Sequence, residues 1–582
     1  MPPAWPEQSG GLFTRHWAAR LGPAQPDLCR SGVGHSASHY PAGPHPNPSP
    51  EGEGLSGATN APSASTNAPC PRGANMRCGA PMHAIKFRAA IAAVALSVLA
   101  VPVLHARPVD APVAEADLAA HMRILASDAF EGRAPGTEGE DRTIAYIVGE
   151  WAKAGLEPVP GSATPWLQPV PLVESRAVSG EVRFKVQGRD FALEADSLIL
   201  TGRDPALSLA DVPVVFVGYG LDGEGKLNAD VAGKLAIMLF DNPPFGDKLP
   251  RYRERRQMLA DAGAAGVLVV APDALPWADL RGSLGGAAVR LASAKPGAQA
   301  SGFISLPATE AVLARAGHKA EEVMAAAMDA GYRGLALPVT ADIDTKTAVR
   351  AFASNNIVAK LPGAKPDGKA LLFLGHWDHL GICGEEGDAD RICNGAVDNA
   401  SGIAVLIEVA KRLAGGPRPD RDIYFLATTA EEKGLLGAWH FADHPVVPLG
   451  DITVALNIDT IAISPRGTPV ATIGRGRPAY DAVVRDVATR LGRKIDDDGE
   501  ADAFVQRQDG WALGAKGVPS LMVGGSFSDM DLLQAFLAGD YHKAGDNFTD
   551  AIPLGGAAED ADLHVALGRV FADTQAWSGT EK

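Results

Sequence analysis

Cysteine is scarce in this sequence. Only five cysteines occur in 582 residues, and three of them lie before residue 82. Cys383 and Cys393 are the two that remain, so the rest of the chain can form one internal disulfide at most. They lie ten residues apart in one polar loop, which favours a local disulfide in an exported protein. Two free thiols or a metal-binding pair are the alternatives.

Basic residues are outnumbered by acidic ones. The chain has 53 lysines and arginines against 69 aspartates and glutamates, which gives a formal net charge of −16. No basic tract offsets this difference. A general affinity for nucleic acid or for an anionic membrane surface is therefore excluded.

Long hydrophobic runs are also scarce, and the clearest one, residues 89–104, is too short for a comfortable membrane span. Lys86 and Arg88 precede it, and a plausible cleavage point follows at Ala106. This order is typical of a secretory signal peptide, which we predict for residues 82–106. The protein is expected to be exported, either periplasmic or secreted, and to meet a membrane only through this segment if it stays uncleaved.

Residues 1–81 differ from the remainder of the chain in composition. They are rich in proline, glycine, serine and alanine and contain little that could be buried, so we predict disorder there. A signal peptide makes little sense in the interior of a chain, which indicates that translation of the natural protein starts at Met82. The mature protein would then begin near Arg107.

The chain is too long for one simple core, and its pattern predicts several parts. Residues 107–184 contain two helical stretches and are expected to form the N-terminal part of the domain that residues 341–582 complete. Residues 185–340 change to short β-rich runs, which predicts a separate compact insert. In residues 341–582, continuous apolar strands alternate with helices. This is the pattern of an α/β fold with a mostly parallel sheet covered by helices on both faces.

Metal-binding residue types follow the predicted strands of residues 341–582. Ligands of such sheets bind beyond the carboxyl ends of the strands, so we expect these side chains to gather at one edge. Mixed imidazole and carboxylate groups suit zinc, whereas magnesium and calcium rely mainly on oxygen. The residues concerned are His376, Asp378, His379, Asp398, Glu431, Glu432, Asp459, Tyr541 and His542.

Five motifs in this region occur in the order of a known enzyme family: "LGHWDHLG", "GAVDNASG", "TTAEEKGLLG", "NID" and "YHKAGD". With them the sequence resembles the co-catalytic di-zinc aminopeptidases, relatives of bacterial leucyl aminopeptidase and of glutamate carboxypeptidase. The motifs cover roughly residues 355–550, and "FEGRAPGTEGE" matches a lead-in often found in bacterial members. The resemblance implies a zinc exopeptidase fold and a hydrolase that acts on peptides. The insert resembles a protease-associated domain through "DVAGKLAIMLF" and "AGAAGVLVV".

The resemblance also implies a set of ligands for two zinc ions per chain. Asp398 would bridge the two ions. His376 and Asp459 would complete one site, and Glu432 and His542 would complete the other.

The same resemblance implies the catalytic roles. Glu431 would stay off the metals, take a proton from a water held between them and pass it to the leaving amine. Asp378 would hydrogen-bond His376 and fix its tautomer. Tyr541 is a candidate either for stabilising the oxyanion or for packing, and His379 receives a structural role only.

One segment departs from the family pattern. Members commonly carry "RSD" before the last strand, and here Arg507, Gln508 and Asp509 stand in its place. The spacing is kept, so the metal site is expected to be intact. The change of residue alters the expected substrate pocket. The turn that carries Asp398 keeps the family pattern, so the peptide bond from Asp398 to Asn399 is expected to be cis.

Three other functions stay open. A glutamate-releasing carboxypeptidase would need arginines to hold acidic substrates, and Arg475 and Arg477 are the clustered candidates. A glutaminyl cyclase, a transferase on a similar fold, would use a single zinc, and the full ligand set disfavours it. A non-enzymatic binding module conflicts with an intact ligand set. The sequence determines neither the oligomeric state nor the side-chain preference of the pocket.

Overall fold

The computed structural model describes residues 111–579, apart from 160–163, 247–248, 273–276, 278–279 and 282–285. The predicted disordered segment, the signal peptide and the expected mature terminus lie outside the described residues. Within the part that is described, no helix is both long enough and apolar enough to cross a membrane.

The described residues form both helices and strands. The helices are α1 (Glu115–Leu125), α2 (Glu138–Lys153), α3 (Tyr252–Asp261), α4 (Leu306–Arg315), α5 (Ala320–Ala327), α6 (Ser401–Gly415), α7 (Leu436–Asp443), α8 (Pro478–Arg490), α9 (Gly510–Gly514), α10 (Met530–Ala538) and α11 (Leu554–Ala572).

The strands differ widely in length, from two residues to 27. They are β1 (Glu157–Pro158), β2 (Leu167–Val186), β3 (Arg189–Phe191), β4 (Leu198–Gly202), β5 (Ala206–Gly218), β6 (Leu235–Leu239), β7 (Gly266–Val270), β8 (Ala288–Leu291), β9 (Ala300–Ile304), β10 (Leu335–Leu361), β11 (Ala370–His376), β12 (Gly381–Ile382), β13 (Ile392–Cys393), β14 (Asp422–Thr428), β15 (Ile452–Asn457), β16 (Ala471–Ile473) and β17 (Ser520–Gly524).

A mixed sheet forms the centre of the fold. Its main path runs in the order β16-β17-β15-β11-β14-β10-β5-β6-β7-β9-β4. Strand β11 pairs in parallel with both β14 and β15, and β15 pairs in parallel with β17. The predicted α/β class, with a mostly parallel mixed sheet flanked by helices, is confirmed.

Strand β11 shows why both faces of this sheet are covered. Its residues alternate between two hydrophobic clusters: Leu371 and Phe373 belong to one, and Leu372 and Leu374 to the other. Successive side chains of a strand point to opposite faces, so a strand that is apolar throughout needs packing on both sides. Helices α1, α2, α6, α8 and α11 contribute to the first cluster. Helices α7 and α9 contribute to the second through Phe441 and Leu513.

The predicted insert, residues 185–340, is joined to the rest of the sheet by two long strands. Strands β2 and β10 pair antiparallel from Leu167–Ile357 to Val186–Val339. Beyond them, β5, β6, β7 and β9 form a parallel run. Two hydrophobic clusters lie almost entirely within this segment. The insert therefore has its own core, while its backbone hydrogen bonds continue those of the catalytic sheet.

A short hairpin lies between β11 and α6. Cys383 and Cys393 form a disulfide there, with their Cα atoms 5.7 Å apart. Strands β12 and β13 pair beside it, and the N–H of Cys383 donates to the carbonyl of Arg391. The disulfide therefore anchors the loop that leads into Asp398.

Candidate metal centre

The parallel strands bring the predicted ligands to one edge of the sheet. His376 is the last residue of β11 and lies in register with Thr428, the last residue of β14. Leu374 of β11 lies in register with Asn457, the last residue of β15. Glu432 and Asp459 come shortly after the ends of β14 and β15. Because both strands pair with β11, these two carboxylates lie near the end of β11. The turn before α6 supplies Asp398, and the loop between α10 and α11 supplies His542.

Asp398 stands between two groups of side chains. Its Oδ1 lies 3.2 Å from Nε2 of His376, which is itself 3.4 Å from Oδ1 of Asp459. Its Oδ2 lies 3.2 Å from Nε2 of His542, which is 3.0 Å from Oε2 of Glu432. The two oxygens of one carboxylate thus face different histidines. A ligand that bridges two metal ions requires this arrangement.

The donor set fits divalent cations. His376, Asp398, Glu432 and Asp459 are buried, and the side chain of His542 is 5% exposed. Ligand atoms of His376, Asp398 and Glu432 lie within 4.8 Å of one another. Neither ring nitrogen of His542 makes a hydrogen bond to any described residue, although Nε2 points between two carboxylates. Buried polar atoms without partners are rare in folded proteins, so this ring needs an additional partner. Two imidazoles and three carboxylates are the mixed set that zinc accepts.

Electrostatics also favours a positive charge at this centre. Burial lowers the pKa of His542, but Glu432 and Asp398 more than offset it and raise the pKa to about 9. Burial likewise opposes ionisation of Glu432, yet His542 and His379 hold its pKa well below the ordinary value. The carboxylate of Glu432 is therefore held in its ionised form. A metal cation would supply the charge that the protonated imidazoles otherwise provide.

Three residues at or beside the candidate ligands have strained backbone conformations. Ala430, Thr460 and His542 have φ values of 51°, 50° and 59°, in the left-handed region that non-glycine residues seldom adopt. Such a conformation costs on the order of 1–3 kcal/mol and persists only where surrounding contacts enforce it. Each strained residue is a ligand or lies within two residues of one. The peptide bond between Asp398 and Asn399 is cis, as expected.

Glu431 differs from its neighbour Glu432. It is only half-buried and lines an open cleft, whereas Glu432 is 2% exposed and points at His542. Burial raises the pKa of the Glu431 carboxyl well above its ordinary value, and the charge of Glu432 adds to this. Both glutamates lie in a short 3₁₀ turn, Glu431–Lys433. The turn therefore directs two identical side chains to different places.

The expected role of Asp378 needs a correction. Its carboxylate does not hydrogen-bond His376, because Nδ1 of His376 lies 3.9 Å from that carboxylate. Nδ1 instead lies 3.1 Å from the main-chain oxygen of Asp378, which can fix the tautomer in the same way. The Asp378 carboxylate accepts the main-chain N–H of Glu431 at 3.0 Å. It therefore positions the turn that carries both glutamates.

Two residues of the quoted motifs have contacts that sequence reasoning did not assign. His379 is fully buried, and its Nδ1 lies 2.6 Å from Oε1 of Glu432, the oxygen turned away from His542. Asp546 accepts the main-chain N–H groups of Val397 and Asp398 at 2.9 and 3.1 Å. Hydrogen bonds of this kind orient metal ligands. His379 lies in the motif "HWDH" and Asp546 in "YHKAGD", and these positions were the sequence signal that could have identified the two residues.

Arg133, from the lead-in motif, connects the loops that carry the ligands. Its guanidinium is 1% exposed and donates to the main-chain oxygens of Trp377, Leu125, Asn394 and Gly395. Burial lowers its pKa to about 10, although nearby carboxylates counteract part of this effect. The group stays charged at neutral pH. One side chain thereby fixes the loop after β11 to the loop before Asp398.

The cleft beside the centre has a volume of about 240 Å³. Glu431, Glu432, Tyr541 and His542 all contribute to its lining. The ring of Tyr541 stacks on that of His542, with centroids 3.7 Å apart, and burial raises its pKa well above 10. Tyr541 therefore both packs against a ligand and borders the cleft.

The "RQD" segment lies between the cleft and the sheet. The carboxylate of Asp509 accepts a hydrogen bond from the hydroxyl of Thr428, at the end of β14. The Gln508 side chain accepts the N–H of Gly510 at 2.7 Å and so closes a local turn. Arg507 lines the cleft. Arg475 does not: it pairs with Asp502 at 3.0 Å outside the cleft.

The fold and this donor set together define an α/β protein with a metal centre at the carboxyl edge of its parallel strands. Residues 356–566 match the sequence model of Peptidase family M28.

Similar proteins match different extents of the chain. A probable leucine aminopeptidase 2 of Aspergillus oryzae is 28% identical over 436 residues, which cover 71% of this chain and 75% of that protein. A vacuolar membrane protease of Lachancea thermotolerans is 33% identical over 112 residues, 19% of this chain and only 10% of the fungal protein. The structure of an aminopeptidase from Aneurinibacillus sp. strain AM-1 aligns with a TM-score of 0.49 at 18% identity. That alignment covers 79% of this chain and 94% of the other.

Proposed function

We propose that this protein is an exported, zinc-dependent exopeptidase, and specifically an aminopeptidase that releases N-terminal residues from peptides. The observation that carries the proposal is Asp398, whose two oxygens face different histidines. His376 and Asp459 would hold one zinc with it, and Glu432 and His542 the other. The match of residues 356–566 to the model of Peptidase family M28 supports the reaction class.

Zinc ions at these positions would lower the pKa of a shared water toward neutrality and polarise the substrate carbonyl. Glu431 is the protein group that moves protons. Its carboxylate accepts a proton from the attacking water as the oxygen adds to the carbonyl carbon. It then donates this proton to the amine nitrogen as the C–N bond breaks. Asp378 holds the main chain of Glu431 in place during both transfers.

The test combines a substrate panel with a metal count on the same sample. Peptides with a free N-terminal amine and the same peptides with an acetylated amine are compared, and metal is measured by mass spectrometry. We expect cleavage only of the free-amine peptides and two zinc ions per chain. Cleavage of the acetylated peptides would contradict the assignment as an aminopeptidase. One zinc with cyclisation of N-terminal glutamine would support a glutaminyl cyclase.

One observation favours the carboxypeptidase alternative strongly enough to keep it in the test. Three arginines, Arg251, Arg253 and Arg507, line the cleft beside Glu431. A carboxypeptidase needs such groups to hold a substrate carboxylate. The acetylated peptides separate the two functions, because a carboxypeptidase does not require a free N-terminal amine.

A further inference from the structure

Residues 429–437 form one closed turn, the Glu431 turn, directly after strand β14. The N–H of Gly437 donates to the main-chain oxygen of Thr429 at 2.9 Å and joins the two ends of the turn. Ala430 lies between these ends with a φ of 51°, in the left-handed region. Backbone of this kind persists only where surrounding contacts enforce it. The contacts that enforce it therefore decide where the Glu431 carboxylate lies.

A buried amide from strand β10 holds both ends of the Glu431 turn. Oδ1 of Asn356 accepts the main-chain N–H of Thr429 at 3.0 Å, and Nδ2 donates to the main-chain oxygen of Gly437 at 2.9 Å. Nδ2 also donates to Oε1 of Gln168 at 2.9 Å. Because the amide oxygen faces a donor and the amide nitrogen faces two acceptors, these contacts fix the orientation of the side chain. Asn356 is 0% exposed, so bulk solvent cannot replace these bonds.

Position 437 leaves room for this amide because it is a glycine. A Cβ atom there would collide with Oδ1 of Asn356 and with the main-chain oxygen of Thr429. Gly437 is also the second residue of α7, so the same contact holds the start of this helix. The amide and the glycine therefore act as a pair.

The amide is itself supported from a neighbouring strand. Gln168 of β2 lies opposite Asn356 in the pairing of β2 with β10. Its Nε2 donates to the main-chain oxygen of His444, which directly follows α7, at 2.7 Å. Two side chains on adjacent strands thus hold the Glu431 turn and the helix after it against the sheet.

The two glutamates of the turn depend on its main chain to different degrees. Oε1 of Glu432 lies 2.6 Å from Nδ1 of His379, a contact outside the turn that holds the side chain itself. Glu431 is tied through its main-chain N–H, which donates to the Asp378 carboxylate, while its side chain lines the cleft. The position of the Glu431 carboxylate therefore follows the main chain of the turn more closely than that of Glu432.

We propose that Asn356 is a positioning residue for the general base, because it holds the Glu431 turn in the conformation that presents the Glu431 carboxylate to the cleft. The inference rests on the proposed function, since Asn356 acts through the role given to Glu431. Asn356 itself does not line the cleft. A misplacement of about 1 Å in a catalytic group can cost about 10²-fold in rate. Loss of the amide should therefore lower kcat and leave substrate binding nearly unchanged.

The test is a double-mutant cycle on the zinc-loaded full chain. The wild-type protein, Asn356→Ala, Glu431→Gln and the double variant are compared with one peptide that has a free N-terminal amine. We expect Asn356→Ala to lower kcat by about 10–100-fold, with KM and bound zinc within about twofold of the wild-type values. In the Glu431→Gln background the same change should lower kcat by about twofold or less, because the group that it positions is already gone.

Asn228→Ala is the matched control. Asn228 is also a buried asparagine, 4% exposed, and its Nδ2 donates to the main-chain oxygen of Val217 at 2.9 Å within the insert. This variant should keep kcat within about twofold of the wild-type value.

The outcomes separate this inference from the proposed function. A wild-type protein that does not cleave the peptide, or a Glu431→Gln variant with near-normal kcat, would overturn the proposed function and this inference with it. Near-normal kcat in Asn356→Ala would overturn the inference alone. An equal loss of kcat in both backgrounds would also overturn it, because a general loss of structure does not depend on the residue at position 431.

Hydrogen exchange gives a readout that does not depend on turnover. In Asn356→Ala, peptides that span residues 429–437 should exchange about tenfold faster than in the wild-type protein, whereas peptides from β11 and β15 should not change. Unchanged exchange in residues 429–437 would contradict the proposal.

Gly437→Ala covers a failure of Asn356→Ala to fold. It displaces Oδ1 of Asn356 without removing the amide, so it should lower kcat in the wild-type background and by about twofold or less in Glu431→Gln. Equal losses in the two backgrounds would refute the positioning role. If neither variant folds, exchange in the wild-type protein decides: protected amides in residues 429–437 support the proposal, and rapidly exchanging ones overturn it.

Discussion

Replacing Glu431 and Glu432 separately by glutamine probes the metal centre with two changes of identical chemistry. Glu432 has one oxygen 3.0 Å from His542 and the other 2.6 Å from His379. Glutamine can still accept the hydrogen bond from His379 but loses the charge that faces the metal site. Glu432→Gln should therefore lose zinc, from two ions per chain toward one, together with activity.

The matched change at Glu431 should leave both sets of ligands intact, because this side chain lines the cleft and is no part of either group around Asp398. It removes the group that we propose carries the proton. General acid–base groups typically contribute ~10²–10⁴ in rate. Each tenfold corresponds to about 1.4 kcal/mol, so the barrier should rise by about 3–5 kcal/mol. KM and metal content should change little.

The assay measures kcat, KM and bound zinc for both variants and for the wild-type protein. If the two glutamates were only favourable residues of a first helical turn, each change would cost about 1 kcal/mol of stability or less and leave catalysis unaltered. Near-normal kcat in Glu431→Gln would refute the assignment of the general base. Equal loss of zinc in both variants would refute the division of roles between them.

Four other outcomes are expected, three from the structure and one from the sequence. Cys383→Ser should lower the free energy of unfolding by about 2–3 kcal/mol, measured by denaturant titration, because a loop of about ten residues is no longer closed. Arg133→Met leaves four main-chain carbonyl oxygens without their donor and should cost more than about 3 kcal/mol by the same measurement, whereas Arg133→Lys should cost less. Asp378→Asn should keep more activity than Asp378→Ala in the peptide assay, since an amide oxygen can still accept the main-chain N–H. Sequencing of the N-terminus of protein recovered from cells should give a start near Arg107, and active protein that retains residues 1–81 would contradict the start at Met82.

The alternation of strands and helices and the residues after each strand were readable from the sequence. The apolar strands predict a sheet with two covered faces, and β11 packs against a separate cluster on each face. Parallel strands end at a common edge, so His376, Glu432 and Asp459 had to lie near each other once the sheet was predicted. The family resemblance implied that the ligands form two groups around Asp398. The side chains of both groups lie on opposite oxygens of Asp398 in the structure.

Contacts between distant parts of the chain required the tertiary structure. The carbonyl oxygens held by Arg133 include those of Trp377 and Gly395, 244 and 262 residues further along the chain. The bond from His376 to the main chain of Asp378 replaces the expected bond to its carboxylate because that carboxylate accepts the N–H of Glu431. A sequence pattern does not distinguish a main-chain acceptor from a side-chain acceptor in one residue.

The features that could be predicted from the residues were local: the period of the apolar residues, which sets the sheet, and the chemical type of each side chain at its edge. The lining of the cleft depended on the tertiary structure. Residues 251–254 line it together with Glu431, and the segment that contains them is joined to the rest of the sheet by the long strands β2 and β10. These placements depend on strand register and on the packing of elements far apart in the chain, which no local pattern of residues encodes.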